Sequence, residues 1–455
     1  MLRIFFSALV SALVLASLAG CSGHKADTAV SAHPQWAYNS VVYEMNVRQY
    51  TPEGTFAAAS EQLPRLKELG VDVLWLMPIY PIGVEQRKGT LGSYYAISDY
   101  CDVNPEFGTM ADFEDFLGKA HEAGFKVILD WVANHTSPDA VWESSCPADW
   151  YVRDSLGNTV TQYDWTDIAE LNYDNRDMRE AMRNAMRFWL DKGVDGFRCD
   201  MACEVPVDFW RETLPQLRKE YPDTYFLAEG EDPGLHEDAF DASYAWKLHH
   251  LLNSIAKGEK EASDLKAYVA EDAVLMPREA FRLMFTSNHD ENSWAGTEFE
   301  RMGDAADVMA LLTFVLPSGQ PLIYTGQEIG YDHRFEFFEK DPVPAWEWNT
   351  WSDFYRSLVE LRHAHPALAA GEKGGPAVFP EDTPEGLLLF SRSVTAEESL
   401  DGEADTVLVA ANLSDSDVTF ALPFEGEKTE YFSGKAFTGG SETVLGPWEY
   451  LVFAE

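Results

Sequence analysis

The chain has 455 residues and a formal charge of −42, from 76 Asp and Glu against 34 Lys and Arg. So acidic a surface repels polyanions and excludes a nucleic-acid backbone as partner, whereas a neutral polymer is indifferent to it. The length fits a barrel with one or two smaller modules, and 14 Trp, 19 Tyr and 27 Phe fill a large core with rings left over for a cleft.

In chain order, Arg3 precedes an apolar run from Ile4 to Leu18, followed by Leu18-Ala19-Gly20-Cys21. The run is too short for a bilayer span and reads as a secretory signal over residues 1–21. Its end resembles a bacterial lipobox. That implies cleavage before Cys21, lipid on the Cys21 sulfur, and an exported protein held to a membrane, with the periplasmic or cell-surface face left open. Residues 22–34 are small and polar and read as a tether.

Eight apolar, β-branched or aromatic runs follow: Val41–Met45, Val71–Met77, Lys126–Trp131, Gly193–Cys199, Thr224–Ala228, Ala242–Trp246, Arg282–Thr286 and Pro321–Tyr324. Helical periodicity over Ala111–Ala123 and Met178–Lys192 fills gaps between them. The pattern predicts a (β/α)8 barrel of the TIM type over residues 35–134 and 178–370. Residues 135–177 lack helical periodicity and are rich in Asp, Trp, Tyr and Ser. They read as a small domain inserted after strand 3, lying over the barrel mouth. After Gly371-Glu-Lys-Gly-Gly-Pro376 the texture changes to short alternating segments: Leu387–Arg392, Thr406–Asn412, Val418–Leu422, Thr429–Tyr431 and Glu449–Phe453. These predict an antiparallel β-sandwich over residues 371–455. Of the later cysteines, Cys199 should be a buried thiol facing the helices, and Cys101 with Cys146 is expected to form a bridge.

Three acids stand at the ends of barrel runs. Asp200 ends Gly193-Val-Asp-Gly-Phe-Arg-Cys-Asp200, Glu229 ends Tyr225-Phe-Leu-Ala-Glu229, and Asp290 ends Phe281-Arg-Leu-Met-Phe-Thr-Ser-Asn-His-Asp290. One strand-helix unit takes about 30 residues, so spacings of 29 and 61 place the acids one and then two units apart. Carboxylates gathered at the C-terminal mouth are what acid/base cleavage of a glycosidic bond needs. Taken singly, an Asp after an apolar run is more often a helix cap, and Arg198 with Asp200 could be a structural ion pair.

Four segments in order carry more: Asp130-Trp-Val-Ala-Asn134-His135, Gly196-Phe-Arg198-Cys-Asp200, Ala228-Glu229 and Phe285-Thr-Ser-Asn-His289-Asp290. Two flanking stretches, Tyr95–Gly108 and Asp167-Ile-Ala-Glu-Leu-Asn172, extend the match. Together they resemble the α-amylase family, glycoside hydrolase family 13, from about Ala37 to the end of the chain. The resemblance implies a retaining hydrolase of α-glucosidic, mainly α-1,4, bonds in starch-like glucans and maltooligosaccharides. Asp200 matches the nucleophile, Glu229 the general acid/base, and Asp290 the third acid, which grips sugar hydroxyls. Tyr95, His135, Arg198 and His289 match substrate-binding or nucleophile-flanking positions. Asp130 and Asn134 look like supports at the mouth, Asp130 through Arg198. Arg198, on the same side of its strand as Asp200, is expected to hold that carboxylate ionised.

Departures mark the leaving-group side. Cys203-Glu204 stands where many members have Lys-His, and Glu231 where many have Trp. An exo-acting α-glucosidase or an α-glucan transglycosylase on the same scaffold is therefore the alternative. Relatives that only bind glucan have lost one or more of the three acids, all present here. No cofactor is required for the chemistry. A structural calcium through Asn134 and acids such as Asp164, Asp167 and Asp174 stays open, because members with short inserted domains often lack it.

Overall fold

A computed structural model describes residues 33–455; the signal segment, Cys21 and the tether up to residue 32 lie outside the described residues. Eight strands close a parallel barrel: β1 (Val42–Met45), β2 (Val73–Leu76), β3 (Lys126–Trp131), β4 (Gly196–Cys199), β5 (Tyr225–Ala228), β6 (Ala242–Tyr244), β7 (Phe281–Met284) and β8 (Gly319–Tyr324). Each pairs with its neighbours in sequence, and β8 returns to β1. All eight expected runs are strands: Lys126–Trp131 matches end to end, the last is longer by two residues at its start, the seventh is shifted to Phe281–Met284, and the other five are shorter at one or both ends.

Alternation along each strand separates two interiors. Val42, Val73, Trp75, Ile128, Leu227, Tyr244 and Leu283 fill the barrel lumen. Tyr43, Leu74, Leu129, Phe197, Cys199 and Phe226 face the helices. The helices form where capping and periodicity agree. Thr109 and Asp112 make a reciprocal capping box at the start of Met110–Glu122, and Asn175 caps Arg176–Asp191. In the latter, Met178, Met182, Ala185, Met186 and Trp189 make the buried stripe. Gly196 lets β4 lie close to β5, since a Cβ there would meet the Tyr225 carbonyl oxygen at 2.1 Å.

Between β3 and β4, the two-residue strands His135–Thr136 and Ala169–Glu170 pair antiparallel, with a helix at Val141–Ser145 between them. The C-terminal part is β throughout. Ala377–Val378, Leu387–Val394, Asp405–Asn412 and Tyr450–Ala454 make a four-stranded sheet. Val418–Ala421 pairs with Glu442–Leu445, and Glu427–Thr429 with Ala436–Thr438. One face of the sheet (Leu387, Leu389, Ala410, Phe453) packs on Val418, Phe420 and Leu445 of the ribbons. The other (Leu388, Phe390, Val409, Val452) joins the barrel's helical core. Three of these strands, at 377–378, 436–438 and 442–445, escape the sequence pattern because they are short and largely exposed.

Cys101 and Cys146 are both free thiols, which corrects the expected bridge. Tyr100 and Trp142, each next to or near one of the cysteines, stack with ring centroids 4.7 Å apart. Cys146 leaves its short helix against the Ser145 hydroxyl. Cys199 is buried among the helix-facing residues, as alternation requires. Among the described residues no helix is long and apolar enough to cross a membrane.

Candidate active site

The C-terminal strand ends bring the singled-out residues to one place. Asp200 follows β4 directly and Glu229 follows β5 directly. Asp290 stands six residues beyond β7, not at its end, and leads into a wide turn at Glu291–Ala295. Asp200, Glu229, Asp290, Tyr95, His135 and His289 all line one cavity of about 330 Å³. Asp130 and Arg198 lie beneath it, fully buried in the lumen.

The backbone at the floor is laced tightly. The Asp200 N–H donates to the Trp131 carbonyl (3.0 Å), and the Glu229 N–H to the Cys199 carbonyl (2.9 Å). Met201 sits at φ 45°, a strained left-handed conformation for a side chain of its size. Its N–H donates to Glu229 Oε2 at 2.7 Å, and the Ala202 N–H donates to the Glu229 carbonyl at 3.0 Å. The turn after one acid thereby positions the other.

Arg198 is the electrostatic hub. Nη1 donates to Asp130 Oδ1 (2.9 Å) and Asp200 Oδ1 (3.1 Å), Nε donates to the Tyr244 hydroxyl (3.1 Å), and Nη2 lies 3.0 Å from Glu229 Oε2. The last contact is an ion pair without hydrogen-bond geometry, since Nη2 makes no hydrogen bond. Asp200 Oδ2 is buried and accepts no hydrogen bond from the protein. One carboxylate oxygen is thus clamped by Arg198 and the other left without a hydrogen bond.

The expected effect of Arg198 on Asp200 needs correcting. Burial and the neighbouring Glu229 carboxyl push Asp200 well above the ordinary carboxylate range, and Arg198 opposes this without overcoming it. The guanidinium is shared among three carboxyls, so none receives its full field. Burial likewise raises Asp130 and Asp290. Burial pushes His135 down to about 4, so its imidazole is neutral. His289 moves the other way. Burial works against its charge, but Asp290 and Glu44 together raise it to about 9.

Sequence reasoning missed several participants. Glu44 in β1 lies in the lumen with Oε1 at 2.5 Å from His289 Nδ1; an acid inside an apolar strand run was its signal. Lys88, Trp165, Trp294, Phe337 and Phe338 also line the cavity, and all of them come from loops, where periodicity carries no information. Trp294 and Phe337 pack at 5.3 Å, and Phe337 stacks on Tyr95 at 6.3 Å. The departures face outward from the hub. Glu204 accepts from the Tyr163 hydroxyl at 3.2 Å, and Glu231 turns to Arg282 at 2.5 Å.

Asn134 lies at the edge of the site. Its amide group donates to Gln162 Oε1 (2.5 Å) and sits 3.1 Å from His135 Nδ1. Lys88 Nζ holds Asp167 at 3.2 Å, while Asp164 and Asp174 are exposed. Among the described residues no three or more His, Cys, Asp or Glu converge as a metal site. A hard cation needs several oxygens free to turn toward it. Here the Asn134 Nδ2 is engaged by Gln162 and His135, and the Lys88 ammonium pairs with Asp167.

With the acids of β4, β5 and the β7 loop around one cavity, comparison with known proteins is decisive. The α-amylase catalytic-domain family model matches residues 26–349. The chain belongs to the α-amylase family. An α-amylase MalA of Haloarcula japonica is 30% identical over 88% of this chain, which spans only 59% of that protein's length. Alpha-amylase 3 of Dictyoglomus thermophilum is 26% identical over 92% of this chain and 93% of its own. The crystal structure of a Lactobacillus plantarum α-amylase superposes with a TM-score of 0.81 at 29% identity, covering 92% of this chain and all of that one. The family match makes the barrel, rather than the C-terminal sheets, the catalytic body.

Proposed function

We propose that this chain is a retaining hydrolase of α-glucans, cleaving mainly α-1,4 bonds of starch-like polymers and maltooligosaccharides. The observation that supports the reading is Asp200, a cavity-lining acid whose Oδ2 is buried and unbonded, with Glu229 held across the same guanidinium. Asp200 Oδ2 attacks the anomeric carbon while Glu229 gives its proton to the departing glycosidic oxygen, leaving a glycosyl ester on Asp200. Water then attacks the same carbon, its proton passes to Glu229, and the Asp200 carboxylate departs. Asp290, His289 and the neutral His135 grip the hydroxyls of the reacting sugar, and the ring of Tyr95 carries its apolar face. The scheme is tested by incubating the purified protein with soluble starch and maltoheptaose and measuring new reducing ends. A folded protein that cleaves no α-glucoside overturns it.

A second reading keeps the first step and changes the group that intercepts the ester: exo-acting α-glucosidase or transglycosylase. It is favoured by Glu204 and its Tyr163 partner, which put a carboxylate and a ring where many members carry cations. Named relatives include an oligo-1,6-glucosidase of Bacillus cereus and a maltosyltransferase of Methylacidiphilum infernorum. Product length over time separates the two. Mid-chain fragments appearing first mean endo attack, whereas glucose alone, or chains longer than the substrate, mean the second reading.

We further propose export and lipid attachment at Cys21, supported by the lipobox-like Leu18-Ala19-Gly20-Cys21. We also propose that the catalytic body needs no calcium, supported by the engaged Asn134 and Asp167.

A further inference from the structure

Glu44 is out of place in β1. Its neighbours Val42, Tyr43 and Met45 are apolar or aromatic and buried, and Glu44 itself is fully buried. Its Oε1 meets His289 Nδ1 at 2.5 Å, while Oε2 has no hydrogen-bond partner. An ionised carboxyl buried with one partner costs several kcal/mol unless that partner is itself charged. Folding alone gives no reason to keep it.

The far side of the imidazole supplies a reason. His289 Nε2 lies 2.7 Å from the Tyr95 hydroxyl and 3.3 Å from Asp290 Oδ2. The Tyr95 hydroxyl donates its single proton to Asp130 Oδ2 at 3.1 Å, which also accepts from Trp75. Nδ1 faces a carboxylate, and Nε2 faces a hydroxyl whose proton is engaged and a second carboxylate. Nδ1 at one carboxylate and Nε2 at 3.3 Å from another favour the imidazolium, whose two N–H groups serve both.

We propose that Glu44 is a positioning residue for the proposed glycosidase reaction: by accepting the Nδ1–H it locks the His289 ring and keeps a charged Nε2–H aimed into the cavity, at Asp290 and at a hydroxyl of the reacting sugar. The assignment rests on the glycosidase reading for its catalytic consequence, but the ion pair itself does not. The charged and titratable groups facing the pair are Tyr324 of β8, Asp130 of β3, Arg198 of β4 and Tyr244 of β6, with Tyr95 and Asp290 from the loops. Of these, Arg198 opposes the imidazolium charge and Asp290 adds to the effect of Glu44.

The test is the pH profile of kcat/KM on maltoheptaose for wild type, Glu44→Gln and Glu44→Asp. Glutamine can still accept the Nδ1–H but carries no charge. We expect its alkaline limb to move to lower pH by at least about one unit, with at least about a tenfold loss at pH 8. Aspartate, which restores the charge, is expected to return the limb toward wild type even if kcat stays low. A folded Glu44→Gln protein whose profile parallels wild type overturns the proposal and leaves the glycosidase reading intact. Nitrogen-15 imidazole NMR of the wild type, with His289→Gln for assignment, decides the matter without activity. Both nitrogens protonated through neutral pH supports the pair; titration near the ordinary histidine value overturns it, including where Glu44→Gln does not fold or the wild type cleaves nothing.

Discussion

Around Arg198, Asp130, Asp200, Glu229 and Asp290 face one guanidinium and one imidazolium. Burial raises Asp130, Asp200 and Asp290 together, so these three hold protons that isolated carboxyls would have lost. The proposed chemistry needs a proton on the general acid Glu229 and none on the nucleophile Asp200. Replacing Asp200 by Asn should lower kcat by at least about 10³-fold, because the bare oxygen that attacks is gone. It should also raise stability at pH 7. A carboxyl whose folded pKa is raised contributes stability below its unfolded value, and that contribution is lost as pH rises through the folded value. Removing the group removes that loss, so the melting temperature of Asp200→Asn should exceed that of the wild type at pH 7. The difference should close toward pH 4. Thermal melts across that range check it. Glu229→Gln should cost about 10² to 10⁴-fold in kcat, and less on substrates whose leaving group needs no proton, such as a fluoride. Steady-state kinetics on both substrate types measures the split.

At the level of elements, the sheet that closes the chain is tied to the barrel by arginine. Arg392 is buried and donates to the carbonyls of Gly375, Val315, Leu316, Leu368 and Ala369. Replacing it by Leu strands several buried acceptors, so at least about 3 kcal/mol should be lost. Urea unfolding of the whole chain would show this as a lower midpoint, with a drop under about 1 kcal/mol counting against the tie. The segment between β3 and β4 depends on Lys88–Asp167 and Asn134–Gln162. Chelation should therefore leave both melting temperature and activity unchanged, whereas Lys88→Met should lower both, since it leaves the buried Asp167 without its counter-charge. Calorimetry with and without a chelator makes the comparison.

The same elements show what the residues disclose by themselves. Strands such as Lys126–Trp131 declare themselves because both faces are buried, and Asp200 and Glu229 stand where such strands stop, whereas Asp290 lies six residues past β7. Asp130, Asn134, His135, Arg198, His289 and Tyr95 were legible only as part of an ordered set of segments. Phe337, Phe338, Trp294 and Lys88 were not legible at all, since their loops acquire shape only from the barrel beneath them. Glu44 lay in view as a misfit but points to no partner 245 residues away.

For the whole molecule, the −42 charge acts on stability more than on substrate. Like charges spread over one body repel, and at 0.01 M ionic strength the Debye length is about 30 Å, comparable with the barrel itself. The melting temperature should rise steadily with NaCl up to about 1 M. A flat or falling dependence would mean that the acids are balanced locally.

His33 bears on how the base of the barrel is held. Its ring packs on Phe281 at the start of β7 and bonds Asp241, which Arg218 also holds, so the first described residue is riveted to the underside of the barrel. That contact lies at the pole opposite the cavity lined by Trp165, Met201, Trp294 and Phe337. A rivet at that pole braces the base of β7 without reaching the opening at the other end.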